Sequence, residues 1–320
     1  RQMCIRDSIY YISMWAAGIT QGLMWRAVDG SGQLLYPDFV ETTMRIMPLY
    51  WVRAVGGALF IVGFVVGVYN IWMTIKSAPA EQKDSEAIVP ARRITHGEEG
   101  RGHRRLEGLA TVFTVLAILS VVVGSVIEIY PTLALDKYIR PEKAVAPWTP
   151  LELAGREIYV REGCYVCHTQ MIRKTPDDVL RYGPTSTIEE SMYDHPHQWG
   201  SRRTGPDLAR VGKKYPNLWH YQHMLDPRAT SQNSVMPSYP WLAEKDTDFI
   251  SLRKKMSVLK RLGTPYTEDQ LARADIIAEE EAKLIAKDLE DNGAPRGLEK
   301  KEIVALIAYL QALGQKEIKK

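Results

Sequence analysis

Cysteine is scarce in this chain, with 3 in 320 residues, and no pairing framework can be drawn among them. A disulfide-stapled secreted domain is thereby excluded. Neither sign of charge dominates: 41 Lys and Arg against 38 Asp and Glu leave +3, too little to argue for a nucleic-acid partner. No stretch alternates convincingly as a strand, so the chain reads as all-α. Hydrophobic residues at 45% and charged residues at 25% suit an ordinary globular protein, yet that average hides a division. The long apolar runs lie before about residue 135, and the remainder is rich in charge, Pro, Trp and Tyr.

Those runs set the membrane expectation. Residues 50–75 and 109–133 are each long enough to cross a hydrocarbon core, which takes about 20 helical residues. Arg53, the only charge in the first run, sits near one end, where it can snorkel to the interface. Residues 9–25 are broken by Thr20 and Gln21 and read as most or part of a third membrane helix. Residues 1–8 do not read as membrane sequence and are expected to be foreign to the natural protein. Gly18 with Gly22, and Gly63 with Gly67, form small-xxx-small pairs that allow close helix approach. The connection at 76–105 carries Lys83, Arg92, Arg93, Arg101, Arg104 and Arg105, so the positive-inside rule puts it in the cytoplasm as a flexible linker. The next helix then runs outward, and everything after 135 lies outside the cytoplasm. The lipid bilayer is thus an expected partner, and nucleic acid is not.

The outer part contains Cys164-Tyr165-Val166-Cys167-His168. Two cysteines at that spacing can add to haem vinyl groups as thioethers, and the adjacent histidine then lies under the iron. Zinc would need two more ligands, for which His195, His197, His220 and His223 could supply nitrogens. A thioredoxin-like dithiol should follow a strand, whereas residues 150–163 read as a helix. A Cys164–Cys167 disulfide leaves His168 unexplained. The haem reading therefore leads, with one covalent haem c expected.

For the sixth iron ligand, Met236 stands in Ser234-Val235-Met236-Pro237, where proline stiffens an extended segment. It follows His168 by 236 − 168 = 68 positions, enough chain to reach the opposite haem face. Met171 is too near His168 to do so. Met192, Met224 and Met256 remain alternatives, as do the four histidines above. Residues 299–313 place Ile303, Leu306, Ile307, Leu310 and Leu313 at helical spacing. A helix before the haem cysteines and another at the C-terminal end is the arrangement of small cytochromes c. Thr267-Glu268-Asp269-Gln270 predicts a capping box opening a helix through Asp288 with a solvated surface. Asp194-His195-Pro196-His197 reads as an isolated surface turn.

Several stretches carry a family resemblance. Gly155-Arg156-Glu157-Ile158-Tyr159, the haem motif with Thr169-Gln170-Met171, Gln198-Trp199-Gly200-Ser201, Thr204-Gly205-Pro206-Asp207-Leu208 and Met236-Pro237-Ser238-Tyr239-Pro240-Trp241-Leu242 resemble the monohaem cytochrome c subunit of cbb3-type cytochrome c oxidases, from about residue 105 onward. The resemblance implies His168 and Met236 as axial ligands, with the Pro206 carbonyl orienting the His168 ring. Met14-Trp15-Ala16-Ala17-Gly18, Arg53-Ala54-Val55-Gly56-Gly57 and Tyr69-Asn70-Ile71-Trp72 resemble the last two helices of the catalytic subunit. The chain thus looks like a truncated product of two fused subunits, by natural fusion or by an error in the sequence.

The expected layout is catalytic-subunit-like helices over 1–76, a cytoplasmic linker over 77–105, an anchor helix over 106–135 and a periplasmic class I-like cytochrome c domain over 136–320. No histidine precedes His96, so the oxygen-reducing centre cannot lie in this chain. The resemblance implies an electron relay in the bacterial inner membrane. Its expected partners are a catalytic subunit carrying haem b, haem b3 and copper, and a dihaem or other c-type cytochrome as donor. The readings set against it are the cytochrome subunit of a nitric oxide reductase and, from another class, a haem-based gas sensor.

Overall fold

The computed structural model describes residues 2–77, 106–138, 145–200 and 203–316. The expected linker at 77–105 lies outside them save for Ser77. Among the described residues there is no strand, only two isolated bridges, and the chain is all-α. Contacts divide it into two units, Phe64–Glu142 and Arg1–Gly63 with Lys143–Lys320.

The first of these holds the end of helix α2 (Phe39–Ser77) and helix α3 (Ala110–Tyr138). Val65, Val66, Val121 and Ile127 are exposed, as apolar side chains are when lipid is to solvate them. Phe39–Ser77 and Ala110–Pro131 are the two helices long and apolar enough to cross a membrane among the described residues. Helix α3 runs on to Tyr138 through Pro131, past the residue 135 at which the anchor helix is expected to end.

In the second unit, helix α1 (Gln2–Arg26) packs against the first part of α2. It is not among the helices that apolar length alone would send across a membrane. A Cβ on Gly56 would lie 3.2–3.4 Å from Tyr10, so Gly56 allows α1 and α2 to meet. No atom comes within 4 Å of a Cβ on Gly18, Gly22 or Gly67, so those glycines do not seat a helix contact here. Between the helices, Asp29 accepts from Ser31 and from the Gln33 amide, folding a tight turn.

The rest of that unit is built on helix α4 (Pro150–Arg161) crossing helix α11 (Glu302–Ala312). Thr149 and Glu152 form a capping box and Pro150 occupies the first turn, which fixes where α4 starts. A Cβ on Gly155 would fall on the Ala305 carbonyl, so only glycine permits this crossing. Leu151, Leu153, Tyr159, Ile303, Leu306 and Tyr309 are fully buried between the two helices and their neighbours. Arg161 chelates Glu302 with both Nη atoms at 2.6 and 2.5 Å, which compensates a buried carboxylate at the start of α11.

Around this pair lie α5 (Pro176–Tyr182), α6 (Asn217–Leu225), the single turn α7 (Pro227–Thr230), α8 (Leu252–Arg261), α9 (Glu268–Ala272) and α10 (Ala274–Asp291). The capping box at Thr267 is present, but the helix it opens breaks at Arg273 before α10 resumes. Nor is α10 a wholly solvated helix. Ala274, Ala278 and Ala282 form a small-residue stripe in the core, and only the opposite face carries the charges.

Candidate haem site

Gly163, at φ +72°, ends α4 and lets the chain reverse into a short 3₁₀ turn at Cys164–Val166. The Cys167 and His168 amides both donate to the Cys164 carbonyl, at 3.2 and 2.9 Å. The turn brings both thiols and the imidazole to one cavity of about 520 Å³, and neither cysteine is in a disulfide. That volume is within the roughly 300–1,000 Å³ of cofactor pockets. Burial, helped by the Glu162 carboxylate, pushes the Cys164 thiol up to about 12.

The His168 ring is fixed from behind. Its Nδ1 lies 2.8 Å from the Pro206 carbonyl, which can only accept, so Nδ1 bears the hydrogen and Nε2 keeps a free lone pair. A Cβ on Gly205 would overlap the ring, 2.6 Å from Nε2, so glycine is required beside it. The Thr204 and Gly205 amides donate to the Cys167 carbonyl, and Tyr159 Oη donates to the His168 carbonyl at 2.7 Å. Although open to the cavity, the ring is enclosed by protein, and burial lowers its pKa below the usual 6.5. A neutral imidazole with one bare nitrogen is what a metal ligand must be.

Met236 lines the same cavity, together with Met224, His220 and His223. Its segment is tied down on the C-terminal side: the Tyr239 amide donates to the Met224 carbonyl at 2.7 Å, and Trp241 Nε1 to Glu162 at 3.2 Å. Met171, Met192, Met256, His195 and His197 do not line that cavity. Met256 is buried in the core under α8 instead. His195 and His197 are exposed. Among the described residues no group of three or more His, Cys, Asp or Glu could hold a metal ion, which leaves the zinc reading without support.

Does a haem fit these residues? His220 is 1% exposed, and both its ring nitrogens are buried without a partner. An empty apolar pocket has no use for such a side chain, whereas a cofactor with both an apolar plane and polar edges does. Two free thiols, an imidazole of fixed tautomer, a thioether on the same cavity and an imidazole without a hydrogen-bond partner together fit haem.

Three supports have roles that their own positions do not reveal: Gly205 lies against the His168 ring, the Tyr159 hydroxyl holds the His168 carbonyl, and Trp241 Nε1 reaches Glu162. Asp194 is not part of an isolated surface turn. It is 4% exposed and accepts from Arg156 Nε at 2.6 Å and Trp148 Nε1 at 3.1 Å, and Arg156 also grips the Pro196 carbonyl. An acid followed by two histidines gave no local sign of that buried partner.

The sequence profile of the family described as cytochrome c oxidase, mono-haem subunit/FixO, matches residues 103–317. The N-terminal region matches other proteins. It is 45% identical over 83 residues to the bacteroid cytochrome c oxidase subunit 1 homolog of Bradyrhizobium diazoefficiens, covering 26% of this chain and 15% of that one. With the cbb3-type cytochrome c oxidase subunit CcoN1 of Stutzerimonas stutzeri it shares 44% over 81 residues, 25% of this chain and 17% of the relative. The chain thus spans well under a fifth of the length of these relatives.

Proposed function

The chain belongs to the mono-haem subunit family of cytochrome c oxidases, and from that premise we propose that it relays electrons to an oxygen-reducing subunit. Cys164 and Cys167 would hold one haem c as thioethers, each thiol S–H being suited to add across a vinyl group without an oxidant. His168 Nε2 and the Met236 sulfur would ligate the iron, with the Pro206 carbonyl keeping His168 in the ligating tautomer. The bound group supplies a one-electron redox centre, and methionine ligation raises its potential relative to bis-histidine.

One observation carries this reading: Cys164, Cys167, His168 and Met236 converge on a single cavity with Pro206 behind the imidazole. The two apolar helices fit a bacterial inner-membrane, multi-pass protein with residues from about 136 on the periplasmic side. The electrons pass from a dihaem or other c-type cytochrome to a catalytic subunit carrying haem b, haem b3 and copper.

A denaturing gel stained for haem, with a reduced-minus-oxidised spectrum, tests the cofactor. A covalent low-spin haem is expected, and its absence would sink the reading. Met236→Ala should abolish the methionine-to-iron charge-transfer band. Oxygen consumption by the purified complex supports the oxidase role, and nitric oxide consumption in its place overturns it.

A further inference from the structure

Helix α5 joins two things that the electron relay must hold together. On one side, its Asp178 is 5% exposed and receives Arg203 Nη1 and Nη2 at 2.7 and 2.8 Å. Arg203 also reaches Asp207 at 2.9 Å, and Asp207 directly follows Pro206, the residue behind His168. The three side chains are nearly solvent-free, so this ion cluster is a stiff mount. On the other side, Arg181 leaves α5 toward the connection between α1 and α2. Its Nη1 donates to the Tyr36 and Pro37 carbonyls at 2.8 and 2.9 Å, and its Nη2 to the Trp25 carbonyl at 3.4 Å.

The chemistry of that contact is selective. Trp25 lies in the last turn of α1, where carbonyls lack intrahelical partners and the helix dipole is negative. Pro37 has no N–H, so the backbone there can only accept. A planar guanidinium spans three carbonyls, whereas an ammonium is a point donor. Nearby, Gln21 Nε2 donates to the Arg203 carbonyl at 3.1 Å, a second tie from α1 to the same mount. Pro37, Phe39, Val40 and Thr43 line the cavity that His168 and Cys167 enter.

We propose that α5 is a docking clamp, with Arg181 as the recognition residue by which the haem-bearing part of the chain grips the α1–α2 connection of a catalytic-subunit-like segment. This rests on the relay reading above. The clamp makes residues 37–43 a wall of the haem cavity and so sets the edge at which electrons leave. The contact is the same whether the two segments share one chain or belong to two subunits.

The test uses the full haem-loaded chain in membranes, with Arg181→Ala, Arg181→Lys and Arg181→Gln. Amide hydrogen exchange over residues 27–38 should quicken about tenfold or more in Arg181→Ala, since three hydrogen bonds from a charged donor are lost. Arg181→Lys should recover part of the protection and Arg181→Gln less. The methionine-to-iron band and midpoint potential should stay put, while electron exit from the haem slows. Unchanged exchange at 27–38 in Arg181→Ala and Arg181→Gln would overturn the clamp, as would loss of the haem band in both. If the unaltered chain carried no covalent haem, the relay reading would fall by itself, because the exchange at 27–38 still reads the clamp.

Discussion

Helices α3 and α11 are built from almost the same apolar alphabet, yet they are solvated in opposite ways. The Ala110–Pro131 part of α3 spans 22 residues with none of its apolar window buried in protein. In α11, with 11 residues, every side chain except Gln311 is buried. Composition therefore does not decide what covers a helix. Length does: a span of 22 residues reaches across a bilayer, and one of 11 cannot, so it must find protein. The difference also shows in the glycines. Gly124 in α3 has nothing within 4 Å of a built Cβ, while α11 admits only Gly155 of α4 against its backbone.

The largest effect that would break this comparison comes from placing one charge in each helix. Leu306→Asp buries an unpaired carboxylate in the core and should cost more than about 5 kcal/mol, with loss of haem retention measured by spectrum and proteolysis. Val121→Asp, at a site 69% exposed within α3, should cost about 2.5–3.5 kcal/mol in membrane insertion and leave the haem spectrum intact. Equal effects on haem retention would remove the distinction. Next comes Gly155→Ala, which should destabilise the α4–α11 crossing by about 1–3 kcal/mol or more in denaturant titration. Gly124→Ala, in open space on α3, should be silent.

A smaller effect concerns pH. Burial lowers His220 from 6.5 to about 4, with the nearby His223 adding to the shift. The folded state thus resists its protonation and the unfolded chain does not. The associated stability is complete above 6.5 and is lost as pH falls toward 4, by at most about 3 kcal/mol. His220→Phe should flatten that acid limb in chemical denaturation at stepped pH. An unaltered limb would show that other groups govern it.

Legibility in the sequence follows the distance over which a residue's reason lies. Cys164, Cys167 and His168 explain one another within five positions, so the motif is readable as it stands. Membrane-capable helices are readable because length and apolarity are properties of the run itself. Met236 is half readable, since its prolines stiffen it locally but its cavity comes from α4 and α6. Gly155 is explained by Ala305, Asp194 by Arg156, and Arg181 by Tyr36, and nothing near any of them signals the partner. The break at Arg273 is equally hidden, because the capping box before it announces a start and says nothing of length.

The crossing at Gly155 also sets an order of events in biosynthesis. Its two halves are 305 − 155 = 150 positions apart, so the clasp cannot close until residues through Ala305 have left the ribosome. At roughly 5–20 residues per second that delay is about 8–30 s. Throughout it, the turn at Cys164–Val166 that follows α4 has no α11 to pack its helix against.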